Sequence, residues 1–234
     1  MTGRRVVCVA LAVGMLCVPV LAGAQPTIPN SSLDVATLPE TIPIFPLQDV
    51  VLFPNMSTQL HIFEARYREM VADALEGDRL IGMVLLQPGY EAEYEQRPPI
   101  YSIGCAGVIV DAQELPDGRY NIVLRALVRF HISAEAQGKS YRLAYVEALP
   151  EVLEDRDRQL LSERRQRLTT LFESVAPAGA EPPPPEFPDE VVVNGLAQFL
   201  DLDPLDRQDL LEREGPLARA QALVDFLEGT EPPR

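Results

Sequence analysis

The sequence predicts an α+β domain, with a β-rich half first and a helical half after it. Three observations predict this. Between Ile42 and Pro54 the apolar runs are short and broken by Pro43, Pro46 and Pro54, and a residue without an N–H donor confines strands to edges and bends. From Arg79 to Leu149 the pattern is one of apolar runs and alternation around an Asp117-Gly118 turn. From Asp155 onward the apolar residues recur at helical spacing.

Taken in order, Thr41 to Leu47 and Val50 to Phe53 are candidate strands. The period then changes: Tyr67, Met70, Val71, Ala74 and Leu75 fall on one face of a helix, closed by Gly77-Asp78. Arg79 to Gln87 is almost wholly apolar, which predicts a central strand covered on both faces. Pro88 to Pro99 carries Glu91, Glu93 and Glu95 and reads as a surface loop. Ile100 to Leu115 is a long strand bent at Gly104 or Gly107. Asp117-Gly118 is a hairpin signal. The return strand then alternates: Tyr120, Ile122, Leu124, Ala126, Val128, Phe130 and Ile132 on one face, Asn121, Arg125, Arg129 and His131 on the other. Tyr141 to Leu149 is a further strand.

The helical half starts near Asp155, with Leu168, Leu171, Phe172 and Val175 as its core stripe and Arg164, Arg165 and Arg167 on a solvated face. Pro177 to Pro188 is a stiff, proline-rich loop, read as a spacer in preference to a ligand for a proline-recognition module. Val192, Val193, Leu196, Phe199 and Leu200 form the next stripe. Asp203 caps a short helix with Pro204 in its first turn. Leu217, Ala220, Val224 and Leu227 line the last helix, after Gly215-Pro216.

Residues 1–24 read as an export signal: Arg4-Arg5, an apolar run from Val6 to Leu21, then Ala22-Gly23-Ala24 before Gln25. The run is shorter than the roughly 20 residues of a spanning helix, which argues for cleavage over a retained anchor. Residues 25–40 form a proline-bearing linker, 41–150 the β-rich part, 151–229 the helical part and 230–234 a tail. The expected location is the periplasm or outside the cell. Of the three cysteines, Cys8 and Cys17 leave with the signal. Cys105 is then unpaired and reads as a small core residue, not a reactive thiol.

The chain holds 20 basic and 35 acidic residues, a formal charge of −15, and one lysine, Lys139. Such a surface repels phosphate backbones and anionic lipid, which argues against nucleic-acid binding.

Several strings in order resemble the Lon protease N-terminal, substrate-binding domain. The first is Pro46-Leu47, Val50-Val51-Leu52-Phe53-Pro54, Ile62-Phe63-Glu64, Arg66-Tyr67 and Met70-Val71. The second is Gly104, Gly107, Asp117-Gly118, Leu124 and Arg129; the third is Gln208, Leu210, Leu211, Glu212, Arg219 and Leu223. Asn55, Gln59 and Ala126 depart from residues common in the family, and asparagine preserves a left-handed turn at 55. The resemblance covers residues 41 to 229. It implies a β-rich, PUA-like pseudo-barrel followed by a helical bundle, and polypeptide binding in place of chemistry.

The chemistry that Lon proteases add is not visible in these 234 residues. Gly138-Lys139-Ser140 mimics the end of a phosphate-binding loop, but Ser133 stands where its first glycine belongs. Ser140 beside Lys139 points away from it if the segment is a strand, which leaves no Ser–Lys dyad. His61 and His131 lie in predicted strands without ligand spacing, and read as structural histidines, not a joint metal site. Glu64 and Arg66 read as helix-start chemistry in preference to a recognition patch. No catalytic residue, metal ligand or cofactor site is assigned, and the binding residues are unknown.

The expected function is a non-enzymatic, exported adaptor or quality-control factor that holds unfolded or partly folded polypeptides, or one specific protein partner. The alternatives are a small-ligand binder or enzyme with a pocket between barrel and bundle, and a structural partner in a cell-envelope complex. Signal cleavage leaves no expected membrane span.

Overall fold

In the computed structural model, residues 38–90, 97–175 and 182–229 are described. The expected signal, residues 25–37 of the expected linker, the expected tail and residues 91–96 and 176–181 of the two long loops lie outside them. The elements are β1 (Thr41–Leu47), β2 (Ser57–Ile62), α1 (Ala65–Glu76), β3 (Leu80–Leu85), β4 (Ile103–Glu114), β5 (Tyr120–Ala136), β6 (Arg142–Leu149), α2 (Asp155–Val175), α3 (Asp189–Phe199), α4 (Pro204–Glu212) and α5 (Gly215–Leu227). The domain is α+β, as the sequence predicts.

The sheet runs β2-β5-β4-β3-β1-β6, and β6 pairs back onto β5. Five strands therefore close on themselves, with β2 attached to the outside of the closure. β1 crosses Pro43 and Pro46 unbroken because its partners are staggered. Residues 41–44 pair with β6 and residues 44–47 with β3, so each proline needs a partner on one side only.

Strand parity divides the interior. Ile42, Ile44, Val84, Ala106, Val128, Phe130 and Ala144 pack together inside the closed sheet. Phe45, Ile81, Met83, Leu85, Cys105 and Ile109 point the other way, into a second core shared with α1 and the helical bundle. β3 is buried at every residue, as expected of a strand covered on both faces.

The predicted alternation of β5 is real, but it does not make one face. Ala106 pairs with Val128 and Gly107 with Ala126, so Leu127 is an extra residue in the ladder. The strand turns over there. Ile122, Leu124 and Ala126 enter the outer core, whereas Val128 and Phe130 enter the inner one. Arg129, expected on an exposed face, is carried into the sheet–bundle joint.

Val50 to Phe53 is not a strand. The segment is buried but flanked by no strand; α3 serves its backbone instead. Gln198 Oε1 accepts from Phe53 N–H at 3.1 Å, and Asn194 Nδ2 donates to Pro54 O at 3.0 Å. Asn55 then makes the left-handed turn, with φ 67°.

Two expectations for the helices are also corrected. Phe199 is 73% exposed, because the buried stripe of α3 centres on Val193, Leu196 and Ala197 and leaves it at the margin. The α2 arginines are staples and not mere surface decoration. Arg165 donates to the carbonyls of Pro184, Pro185 and Phe187 and pairs with Asp189, which fastens the proline-rich loop to α2. Arg167 pairs with Glu228 at the end of α5. The Asp203 cap is as predicted: its carboxylate accepts from Leu205 N–H at 3.0 Å.

Gly104 is the tightest backbone approach in the sheet. A Cβ there would stand 2.4 Å from the Met83 carbonyl oxygen and 2.7 Å from the Phe130 ring. Gly104→Ala should cost about 2 kcal/mol or more, since a backbone atom must move. Equilibrium urea unfolding measures this; an unchanged midpoint would contradict it.

Candidate functional site

Sheet and bundle meet in a buried polar joint. Arg129 comes from β5, Arg219 from α5, Asn194 from α3 and Glu151 from the link that follows β6. Arg219 is fully buried. Its Nε donates to Leu210 O at 3.0 Å, its NH2 to Glu151 Oε1 at 2.6 Å, and its NH1 to Asn194 Oδ1. Its guanidinium lies 5.4 Å from the centre of the Phe53 ring. Arg129 NH1 donates to Leu211 O at 2.9 Å, and its Nε stands 2.8 Å from Glu151 Oε1. The latter contact is an ion pair without hydrogen-bond alignment. Burial pulls the Arg129 guanidinium below its ordinary pKa, and Glu151 opposes the shift. Gln208 completes the joint, donating to Ile103 O at 3.1 Å and to Glu212 at 2.8 Å. Arg219, Glu151 and Asn194 hold one another, while Arg129 Nε and Gln208 Oε1 are buried without a hydrogen-bond partner among the described residues; the cluster ties sheet to bundle as a clamp.

Cys105 lies beside this joint, fully buried, and burial raises its thiol pKa far from the thiolate range. It is a core residue.

The other singled-out residues do not converge. His61 sits opposite Asn121, ten residues along β5 from His131. Its Nδ1 is 2.7 Å from Asn121 Oδ1 and its Nε2 is 3.2 Å from Arg119 NH1. An arginine only donates, so Nε2 accepts and the proton rests on Nδ1. Among the described residues no group of three or more His, Cys, Asp or Glu could hold a metal ion. Glu64 is the residue that opens α1, and it pairs with Arg66 at 2.9 Å; Arg66 in turn covers the Tyr67 ring.

The segment from Gly138 to Ser140 is a bend, not a strand, so Lys139 and Ser140 reach the same side. Both land on α1: Lys139 Nζ on Asp73 at 2.8 Å, Ser140 Oγ on Glu69 at 2.8 Å. Tyr141 adds a 2.6 Å hydrogen bond to Asp73. The hydrogen bonds from Lys139 and then Tyr141 hold the Asp73 carboxyl below its ordinary pKa. The arrangement fastens the β5–β6 turn to α1.

The surface offers an open strand edge. β2 pairs with β5 on one side and, among the described residues, with no strand on the other. Ala126 N–H donates to Met56 O at 2.8 Å, which sets the parity of the ladder. Thr58, Leu60 and Ile62 therefore bond inward, while the backbones of Ser57, Gln59 and His61 face outward. The Ser57 carbonyl accepts from Gln198 Nε2 at 3.5 Å; among the described residues Gln59 and His61 have no such cap. An exposed aromatic ring, Phe63, follows the end of β2 and stacks at 6.3 Å on His61. The edge extends about 20 Å at the usual strand rise.

Residues 41–229 match the family described as the ATP-dependent protease La (LON) substrate-binding domain. The chain belongs to this family. It is 28% identical over 203 residues to the Lon protease of Dictyoglomus thermophilum, a match covering 81% of this chain and 24% of that protein. It is 33% identical over 114 residues to Lon protease 2 of Syntrophobacter fumaroxidans, covering 49% and 14%. The chain thus spans about a quarter or less of the length of these relatives, and the match falls on the substrate-binding domain rather than on protease or ATPase domains.

Two solved structures share the fold. The N-terminal domain of Mycobacterium avium complex Lon protease superposes with a TM-score of 0.60 at 18% identity, covering 80% of this chain and 98% of that one. A Lon N-terminal domain protein from Xanthomonas campestris gives 0.56 at 22% identity, with the same coverage.

In the sequence, Gln208 and Arg219 stand out only through the family resemblance, and Arg129 through that and its place on one face of an alternating strand. Their burial shows what they do: they close the joint of the substrate-binding domain. Glu151→Ala should destabilise the chain by about 3–5 kcal/mol, because two guanidinium groups lose their shared carboxylate. Chemical denaturation measures it, and a loss under about 1 kcal/mol would exclude the clamp.

Proposed function

We propose that this chain binds exposed segments of other polypeptides, and that the outer edge of β2 receives them as an added strand. The observation that carries this reading is the outward-facing backbone of Gln59 and His61 beside the exposed Phe63 ring. An extended chain supplies alternating donors and acceptors at the matching repeat, and its side chains can pack on Phe63. The family's description as a substrate-binding domain supports a non-catalytic holding role. The polar cluster that could have served chemistry is consumed by its own ion pairs and hydrogen bonds.

Proline substitution separates binding from folding. The Gln59 N–H faces outward, so Gln59→Pro leaves the β2–β5 ladder intact; Leu60→Pro breaks it. The expected result is that Gln59→Pro keeps the thermal midpoint but weakens binding of a reduced, unfolded model protein about tenfold, the order expected for lost backbone hydrogen bonds. Hydrogen exchange should show the Gln59 and His61 amides protected on binding. Unchanged affinity in Gln59→Pro, or protection confined to other elements, would remove β2 from the site.

The role is proposed to be that of an exported adaptor or quality-control factor. The support is the basic, apolar and small-residue order of residues 1–24. N-terminal sequencing of the protein from its native cell should begin at Gln25; a start at Met1 in the cytosolic fraction would contradict export.

A further inference from the structure

The link between sheet and bundle borders a groove that neither half fills. Two clefts of about 410 Å³ each adjoin there and share Leu153 and Pro216. One runs along β5 past Leu127; the other lies between the start of α2 and the start of α5. Val152 is 82% exposed and Leu160 44% exposed on its border, and Leu217 is half-buried between them. An apolar surface of this kind beside a domain joint marks an interaction site.

Charge identifies the occupant. The border carries Asp157, Glu190 and Glu214 against Arg125 and Arg164. Arg164 Nε is turned down onto Gln221 Oε1 at 2.5 Å, and Asp157 lies 3.8 Å from Arg156. Glu190 and Glu214 have no cationic partner among the described residues. Arg125 has no carboxylate partner among the described residues, so the groove's free charges are Glu190 and Glu214 against this one arginine; several arginines elsewhere are paired with the chain's own carboxylates, such as Arg119 with Asp117 and Arg158 with Asp155. The two carboxylates add to the field of a chain whose formal charge is −15, which favours a cationic partner.

We propose that this groove docks a cationic amphipathic segment of a partner protein. Its apolar side chains lie on Val152, Leu153, Leu160 and Leu217, and its lysines or arginines lie beside Glu190 and Glu214. The groove adjoins the turn that leads into β2 but uses none of the outward-facing backbone of Gln59 and His61, so docking here does not depend on strand addition there.

The test uses the full chain and three labelled peptides with the same leucine positions and arginine, serine or glutamate at the others, followed by fluorescence anisotropy. The arginine peptide should bind about tenfold tighter than the serine peptide, the glutamate peptide weakest, with the difference shrinking as salt is added. Val152→Asp with Leu160→Asp should abolish binding; both residues are exposed, and an unchanged circular dichroism melt confirms the fold. Glu190→Gln with Glu214→Gln should bring the arginine peptide to the serine level, while Phe63→Glu should leave it unchanged. Equal binding of arginine and glutamate peptides, or no binding by any, would overturn the proposal. So would a charge preference that survives Glu190→Gln with Glu214→Gln, since the field of the whole protein would then be its source.

Discussion

A single carboxylate, Glu151, faces two buried guanidinium groups, and the union of sheet and bundle depends on it. Arg129 approaches from β5 and Arg219 from α5. Neither arginine could be buried there alone, because an unpaired charge in a poorly solvated interior is costly. Asn194 and the carbonyls of Leu210 and Leu211 take up donors that the carboxylate cannot. The joint is therefore specific in a way that an apolar contact is not. It accepts one relative placement of β5, α3, α5 and the link after β6.

That placement also shapes the surface. The segment from Val51 to Pro54 is drawn against α3 by Asn194 and Gln198, and β2 begins where this segment ends. β2 is thereby laid on the outside of the closed sheet, with one edge bonded and one open. The same link that delivers Glu151 places Val152 and Leu153 at the border of the groove. Holding a chain at β2 and docking a partner at the groove would thus be two uses of one rigid frame. Neither use asks for a reactive group, in keeping with a substrate-binding domain.

Much of the fold was legible in the sequence because local rules agreed with the final structure. The apolar run of β3, the Asp117-Gly118 turn, the Asp203 cap and the stripe on α1 each follow from periodicity or turn chemistry. Where the reading failed, a distant partner had intervened. The run from Val50 to Phe53 looks like a strand, yet its backbone is satisfied by α3 side chains. Arg129 looks exposed by alternation, yet the extra residue at Leu127 reverses the strand just before it. Lys139 and Ser140 would diverge on a strand, yet a bend sends both to α1. Of the candidate surface, the exposed Phe63 and Val152 carry no sequence signal, since an apolar residue reads as core unless its neighbours in space are known.

The sequence by itself determined the class of the domain, its family, its acidity and the order of its elements, because composition, periodicity and motif spacing are properties of the chain. Tertiary structure alone decided which edge stays open, which arginines are buried and which apolar residues face solvent. Those outcomes depend on pairing between segments far apart in the chain: β2 with β5, β6 with both β1 and β5, and α5 with the link after β6. A one-residue bulge is enough to exchange the inside and outside of a strand, and no local rule specifies where that residue falls.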